Sequence, residues 1–136
     1  MRKLFDFALI LKLSLFGLGM GVATVFVIPS KIEPLCWLAI FVACAVIIAR
    51  RVERPFMHGF LTGLMNCVWV TGAHMLFVAS YLARHPEEAA MMKTMPLPDS
   101  PRLMMLMVGP VVGIVSGVVL GVFAYVARRF VAKPSA

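Results

Sequence analysis

The chain has 136 residues, of which 62% are hydrophobic and only 14% are charged. Soluble globular proteins are usually about 45–50% apolar and about 25% charged, so this composition excludes a soluble domain and a disordered segment. In a soluble protein the net charge of +7 would suggest nucleic-acid binding. Here the basic residues stand at the ends of apolar runs, so we attribute the charge to membrane orientation and expect no nucleic-acid partner. The sequence therefore predicts an integral membrane protein whose main partner is the lipid bilayer.

Four apolar segments predict membrane spans, with approximate bounds 8–29, 33–50, 56–82 and 102–127. About 20 helical residues cross a hydrocarbon core about 30 Å thick, and helices satisfy their own backbone polar groups in lipid. No segment alternates apolar and polar residues with the period of a β-strand. We therefore predict an all-α integral membrane protein, a four-helix transmembrane bundle that forms a single domain over residues 1–136.

Basic residues are shared unevenly between the two ends of the predicted bundle. The N-terminus, the loop between the second and third spans, and the C-terminus carry nine Lys and Arg, including Lys133, against four in the other two connections. Because cytoplasmic loops are enriched in Lys and Arg, we expect a multi-pass protein of the bacterial inner membrane with both termini in the cytoplasm. Asp6 and Lys12 interrupt the charge order of a signal peptide, so we expect no cleavage.

The third connection, over residues 84–101, is the longest loop. Pro86 suits the first position of a helix, and Glu87 and Glu88 suit its positive end. We predict a short interfacial helix over residues 86–95, lying on the membrane surface. Thioethers and imidazoles bind soft metals such as Cu(I), so a weak metal site is one alternative, with candidate ligands His85, Met91, Met92 and Met95. Since Met also fills apolar gaps, we expect no metal and no other cofactor.

The strongest pattern is a glycine repeat in the fourth span. Small residues let helix backbones approach closely in lipid, where the hydrophobic effect does not press helices together. The repeat consists of Gly109, Gly113, Gly117 and Gly121, and weaker pairs occur in the first and third spans, namely Gly17 with Gly21 and Gly59 with Gly63. These glycines predict helix packing, either inside the chain or in a homo-oligomer or larger membrane complex.

The third span also carries polar side chains, among them Asn66 and His74. Polar groups at membrane depth are costly, so they should face protein or water. They indicate either a proton or ligand site or an interhelical hydrogen bond that fixes the register. His58, close to Arg54, is expected to be solvated at the cytoplasmic interface.

Enzymatic chemistry is not indicated, because the sequence has no HExxH motif, no phosphate-binding loop and no paired carboxylates inside a span. The leading expectation is a non-enzymatic accessory or scaffold subunit that associates through its glycine-lined helices. One alternative is a small homo-oligomeric channel or transporter with a path near Asn66 and His74. A second alternative is an outward-facing copper-binding or other metal-binding membrane protein that uses the loop methionines and His85.

Overall fold

The computed structural model describes residues 2–131, and six α-helices lie within this range. In chain order they are α1 (Phe7–Phe26), α2 (Glu33–Arg51), α3 (Pro55–Leu76), α4 (Val78–Arg84), α5 (Pro86–Lys93) and α6 (Pro101–Phe130). Over the same residues there is no strand, and one isolated parallel bridge joins Lys3 to Val52. By length and composition, α1, α2 and α6 can each cross a membrane, and α3 with α4 can supply a fourth span. The prediction of an all-helical chain with several apolar helices is confirmed.

Short sequence signals set where the helices begin. Asp6 is the N-cap of α1, and its carboxylate accepts the Leu9 N–H at 3.0 Å. This hydrogen bond, together with Lys3 Nζ at 3.1 Å, holds the pKa of Asp6 below its ordinary value. Proline occupies the first turn of the other long helices and of α5, where its missing N–H costs no helical hydrogen bond: Pro34, Pro55, Pro86 and Pro101.

The third apolar segment is not one straight helix, in contrast to the expectation of a continuous span over residues 56–82. α3 ends at Leu76, and α4 leaves it at an angle of 92°. Residues 76–78 contain neither proline nor glycine, so the break has no local signal. The bend instead buries Val78 and Tyr81 against Val25 and Met105. The stabilisation gained by packing α4 across the end of the molecule therefore exceeds the cost of breaking the helix.

α5 forms within the segment predicted as a short helix, over Pro86–Lys93, and buries none of its residues. Its placement on a membrane surface stays a prediction.

The helices pack around α3. Its most extensive interface is with α6, its second is with α1, and α2 packs mainly on α6. The C-terminal half of α2 joins α1 and α6 in an apolar cluster built on Leu13, Cys44, Ile48, Leu120 and Ala124. The N-terminal half of α2 instead borders a cleft, which the next section describes.

Backbone contacts gather the basic segments at one end of the molecule. The Lys3 N–H donates to the Arg51 carbonyl at 2.9 Å, and the Glu53 N–H donates to the Lys3 carbonyl at 2.8 Å. The Arg128 guanidinium donates to the Glu53 carbonyl. We call this the basic end. The connection 27–32, the start of α2, α4, α5, residues 94–100 and the start of α6 lie at the opposite end, which we call the neutral end because its Lys and Arg equal its Asp and Glu in number. Lys133 lies outside the described residues.

Candidate functional site

The glycines of α3 and α6 bring these two backbones into contact. A Cβ placed on Gly63 would lie 2.5 Å from the Cα of Gly117, and one on Gly59 would lie 2.7 Å from the Cα of Gly121. Real Cβ atoms essentially never come closer than 3.0 Å to another heavy atom, so a side chain at either position would push the helices apart. The four glycines therefore set the closest approach in the molecule between α3 and α6.

The remaining glycines of the predicted set also face α3: Gly109 and Gly113 face its side chains, and Gly17 and Gly21 face its backbone as well. Gly109 lies against Thr71 and Gly113 against Cys67, and on α1 Gly17 lies against Asn66. Gly21 lies against Val70 and Ala73. All eight glycines therefore face another helix of the same chain.

A cleft of about 510 Å³ opens between α2 on one side and α3 with α6 on the other. Its walls are apolar and partly aromatic, formed by Trp37 and Phe41 of α2, Val70 of α3 and Val112 of α6. Small-molecule sites typically have volumes of about 300–1,000 Å³ and are lined mainly by apolar side chains with a few polar groups. The cleft has the size and lining of such a site.

Asn66 supplies a polar group on the α3 wall of the cleft. Its side chain is 3% exposed, and among the residues that the structure describes neither its amide nitrogen nor its amide oxygen has a hydrogen-bond partner. A buried polar group without a partner costs about 1–3 kcal/mol. The Oδ1 atom of Asn66 lies toward Gly17 of α1, so a group held in the cleft would pair with the amide, and recover part of this cost, only after the Asn66 side chain rotates toward the cleft. His74, the other predicted polar residue, does not line the cleft.

The mouth of the cleft, toward the neutral end, carries two carboxylates and a hydroxyl. Glu33 accepts the indole N–H of Trp37 at 3.2 Å, and Glu88 lies 3.1 Å from the hydroxyl of Ser30. Within residues 2–131 no Lys or Arg nitrogen comes within 4.0 Å of either carboxylate. The nearest cationic candidate is His85, whose Nδ1 is 3.8 Å from Glu88. The mouth is therefore locally acidic.

Behind the mouth, three aromatic rings form a buried stack, which we call the ring column: His74, Tyr81 and His85. The ring centroids of His74 and Tyr81 are 4.0 Å apart, and those of Tyr81 and His85 are 4.4 Å apart. Thr24 of α1 ties both ends together, because its hydroxyl lies 2.8 Å from His74 Nε2 and its carbonyl lies 2.7 Å from His85 Nε2. Since a carbonyl only accepts, His85 Nε2 carries a proton.

Of the three rings of the column, the sequence singled out His74 and His85 but not Tyr81. His74 was predicted to form an interhelical hydrogen bond or a ligand site, and it bonds Thr24 across to α1. Tyr81, Thr24 and Ser30 were missed. Only the four-residue step from Tyr81 to His85 follows helical spacing, because the bend between α3 and α4 separates His74 from Tyr81.

His85 itself is fully buried and not displayed in a loop. Its Nδ1 lies 2.7 Å from the hydroxyl of Ser30, and its Nε2 is bonded to Thr24. Met91 is half exposed, whereas Met92 packs beside Tyr81. In residues 2–131 no three His, Cys, Asp or Glu side chains are grouped so as to hold a metal ion. Metal binding at His85 would require breaking one of its two hydrogen bonds.

His58 lies at the basic end, and the expectation that it is solvated was wrong. Its side chain is fully buried. Nε2 accepts the backbone N–H of Asp6 at 2.9 Å, so Nδ1 carries the proton that is donated to the Arg54 carbonyl at 2.8 Å. His58 is therefore a neutral bridge between the start of α1 and the start of α3.

The apolar helices define the class of this chain, a helical membrane protein with several candidate spans. Comparison with protein-family models, with curated proteins and with solved structures returned no match.

Proposed function

We propose that this chain is a non-enzymatic multi-pass membrane protein that binds an amphiphilic small molecule in the cleft between α2, α3 and α6. The observation that carries the proposal is a cleft of about 510 Å³ whose wall includes Asn66, a buried amide with no hydrogen-bond partner among residues 2–131. The proposal develops the transporter hypothesis, whose path was expected to pass this residue.

The chemistry of the cleft favours a ligand with an apolar body and a polar head. The body would be buried against Trp37, Phe41 and Val112, a contribution of about 25 cal/mol for each Å² of apolar surface. A donor or acceptor on the ligand would pair with Asn66. Such a molecule partitions into the bilayer, so the bilayer itself is the natural source from which it enters.

The accessory-subunit hypothesis has less support from the geometry. Its interface was expected to use the glycine repeat of α6, and those glycines face α3 of the same chain. A subunit or homo-oligomer contact would need a different surface. Transport across the whole membrane would still call for more than one copy, because a bundle of this size has little room for a continuous pore.

We also propose a placement in the membrane. In this placement α1, α2, the α3–α4 pair and α6 are the four transmembrane spans, α5 lies at the interface, and the basic end faces the cytoplasm of a bacterial cell. The gathering of the basic segments at one end supports this orientation, since positive residues concentrate on the cytoplasmic side. The mouth of the cleft would then open toward the outside.

The test uses the fluorescence of Trp37. The chain has two tryptophans, so Trp69→Phe leaves Trp37 as the sole emitter. The purified protein in micelles of an uncharged maltoside is titrated with single-chain amphiphiles that carry a nitroxide quencher. Saturable quenching that Val112→Phe weakens and Val111→Phe does not is the expected result, because Val112 lines the cleft and Val111, 62% exposed, does not. Quenching that rises in proportion to the amphiphile, and equally in both variants, would refute a specific site.

A further inference from the structure

Two carboxylates reach the mouth of the cleft, and the one cationic candidate within 4.0 Å of either in the described residues is the buried imidazole of His85, 3.8 Å from Glu88. Glu33 opens α2 and Glu88 lies on α5, so two separate segments bring their carboxylates to the same opening. Lys31 and Arg84 stand nearby in the sequence, yet neither forms an ion pair with these glutamates in the described part of the chain. Both side chains are half-buried, where a charge is screened less than on an open surface.

The residues next to the mouth are suited to a positive group. Trp37 lies one turn after Glu33 and is held by the hydrogen bond between its indole N–H and that carboxylate. Its ring meets the ring of Phe41 edge to face, with 5.9 Å between the centroids. Aromatic faces attract organic cations within about 6 Å, and most strongly where water is excluded. A cation at the mouth can therefore contact a carboxylate and an aromatic face together.

Asn66 adds a polar group to the cleft wall, where both its amide atoms are buried and unpaired in the described residues, and a rotation of its side chain away from Gly17 would present them to a ligand. It lies deeper than the glutamates, on the middle of α3. The cleft thus has polar groups in two places, the glutamates at its mouth and the neutral amide of Asn66 further in, with apolar walls between them.

From this arrangement we infer that the cleft selects amphiphilic organic cations of small-molecule size. The positive head lies between Glu33 and Glu88, and the apolar body extends along Trp37 and Phe41 toward Asn66. The inference rests on the proposed function, since it names the ligand class of the same cleft. An anionic head would meet like charge at the mouth, whereas an uncharged head would lack the Coulomb attraction to the glutamates that a cation gains.

Ser30 is a positioning residue for this site. Its hydroxyl lies between Glu88, at 3.1 Å, and His85 Nδ1, at 2.7 Å. His85 is fixed in turn by the Thr24 carbonyl and by its stack on Tyr81. Through this chain of contacts the buried ring column holds the Glu88 carboxylate at the mouth.

The experiment compares three nitroxide amphiphiles of equal chain length in the Trp69→Phe protein, in uncharged maltoside micelles. Their heads are trimethylammonium, hydroxyl and sulfonate, so their charges do not change with pH. We expect the ammonium probe to reach half-saturation of Trp37 quenching at the lowest concentration of the three. That concentration should be about tenfold lower than the one for the sulfonate probe. Glu33→Gln and Glu88→Gln should each weaken ammonium binding by about threefold to tenfold while leaving the hydroxyl probe unchanged. Ser30→Ala should weaken the ammonium probe alone, in the same direction as Glu88→Gln.

Glu87→Gln is the matched control, because Glu87 is the neighbouring glutamate on α5, is exposed and does not line the cleft. It should bind the ammonium probe like the parent. Added phosphatidylethanolamine should not compete, whereas competition would assign the mouth to a lipid head group and overturn the small-molecule inference.

The outcomes separate the two proposals. Saturable quenching with equal affinity for all three heads would overturn cation selectivity and leave the amphiphile site standing. A preference for ammonium that survives both glutamine variants would also overturn it, since the selectivity would then come from elsewhere. The absence of saturable quenching with any probe would overturn the proposed function itself.

Discussion

The replacement Asn66→Leu gives the sharpest test of whether the cleft is a binding site. Leucine has the same branching pattern as asparagine, so it is the apolar replacement closest in shape for the space beside Gly17. The change removes the two amide atoms that have no partner in the described residues and leaves an apolar wall. Stability and ligand binding should therefore change in opposite directions.

The expected magnitudes follow from the unpaired amide. Removing a buried polar group that lacks partners should raise stability by about 1 kcal/mol, the lower end of its burial cost, which is about 3–5 °C in Tm for a chain of this length. The same leucine cannot bond a ligand. Losing one hydrogen bond of about 1 kcal/mol should weaken binding of an amphiphile by about fivefold.

Thr62→Val is the matched control. Thr62 lies one turn before Asn66 on α3, is fully buried, and its hydroxyl also lacks a partner among residues 2–131, but it does not line the cleft. Thermal unfolding of both variants, followed by fluorescence in uncharged micelles, measures stability, and the Trp37 quenching titration measures binding. The threonine variant should be at least as stable as the parent and should bind the probe equally well.

A loss of stability in Asn66→Leu of more than about 1 kcal/mol would refute this reasoning, because it would mean that the amide makes hydrogen bonds within the protein. Unchanged probe affinity in Asn66→Leu, together with a normal fold, would also remove Asn66 from the site.

Three further predictions concern packing, pH and orientation. Gly117→Leu should destabilise the folded monomer by about 1–3 kcal/mol because it inserts a side chain between α6 and α3, whereas exposed Val118→Leu should be silent; thermal unfolding with equal results for the two would reject the close contact. Because the pKa of Asp6 is lowered in the folded chain, the ionised carboxylate stabilises the fold above the unfolded pKa near 4, and this stabilisation is lost as the pH falls below it. The Tm of Asp6→Asn should therefore fall less than the Tm of the parent between pH 5 and pH 3. An identical fall in both proteins would contradict the role of the Asp6 carboxylate as the cap. A cysteine at Met91, in a background without native cysteines, should react with an impermeant thiol reagent added outside intact cells; labelling only after lysis would reverse the proposed orientation.

The parts of the fold that are local could be predicted from the sequence. Apolar length predicted helices, and the structure confirms an all-helical chain with spans apolar enough for a membrane. Prolines at the starts of α2, α3, α5 and α6 lie where helix-start rules place them. The glycine repeat predicted helix contacts but could not name the partner, because the same spacing serves packing within a chain and between chains.

The parts that depend on tertiary contacts could not be predicted. No residue near Phe77 signals the bend between α3 and α4, whose cause is burial of Tyr81 against Val25 and Met105, residues distant in the sequence. With Tyr81 and His85 placed by that bend, the ring column was invisible in the sequence. The cleft depends on α2 meeting α6 near one end only, a relation between helices that hydropathy does not encode.

The bridge made by His58 has a consequence for the order in which the chain can be assembled. Lys3 and Asp6 are synthesised before their partners Arg51, Glu53 and His58, which follow about fifty positions later. Until the hairpin of α2 and α3 has been synthesised and inserted, the segment before α1 lacks these partners. Its docking closes a loop that spans two helices, so it should be a late event in biogenesis, and a fusion that tethers the first residues elsewhere should delay maturation without preventing insertion of α1.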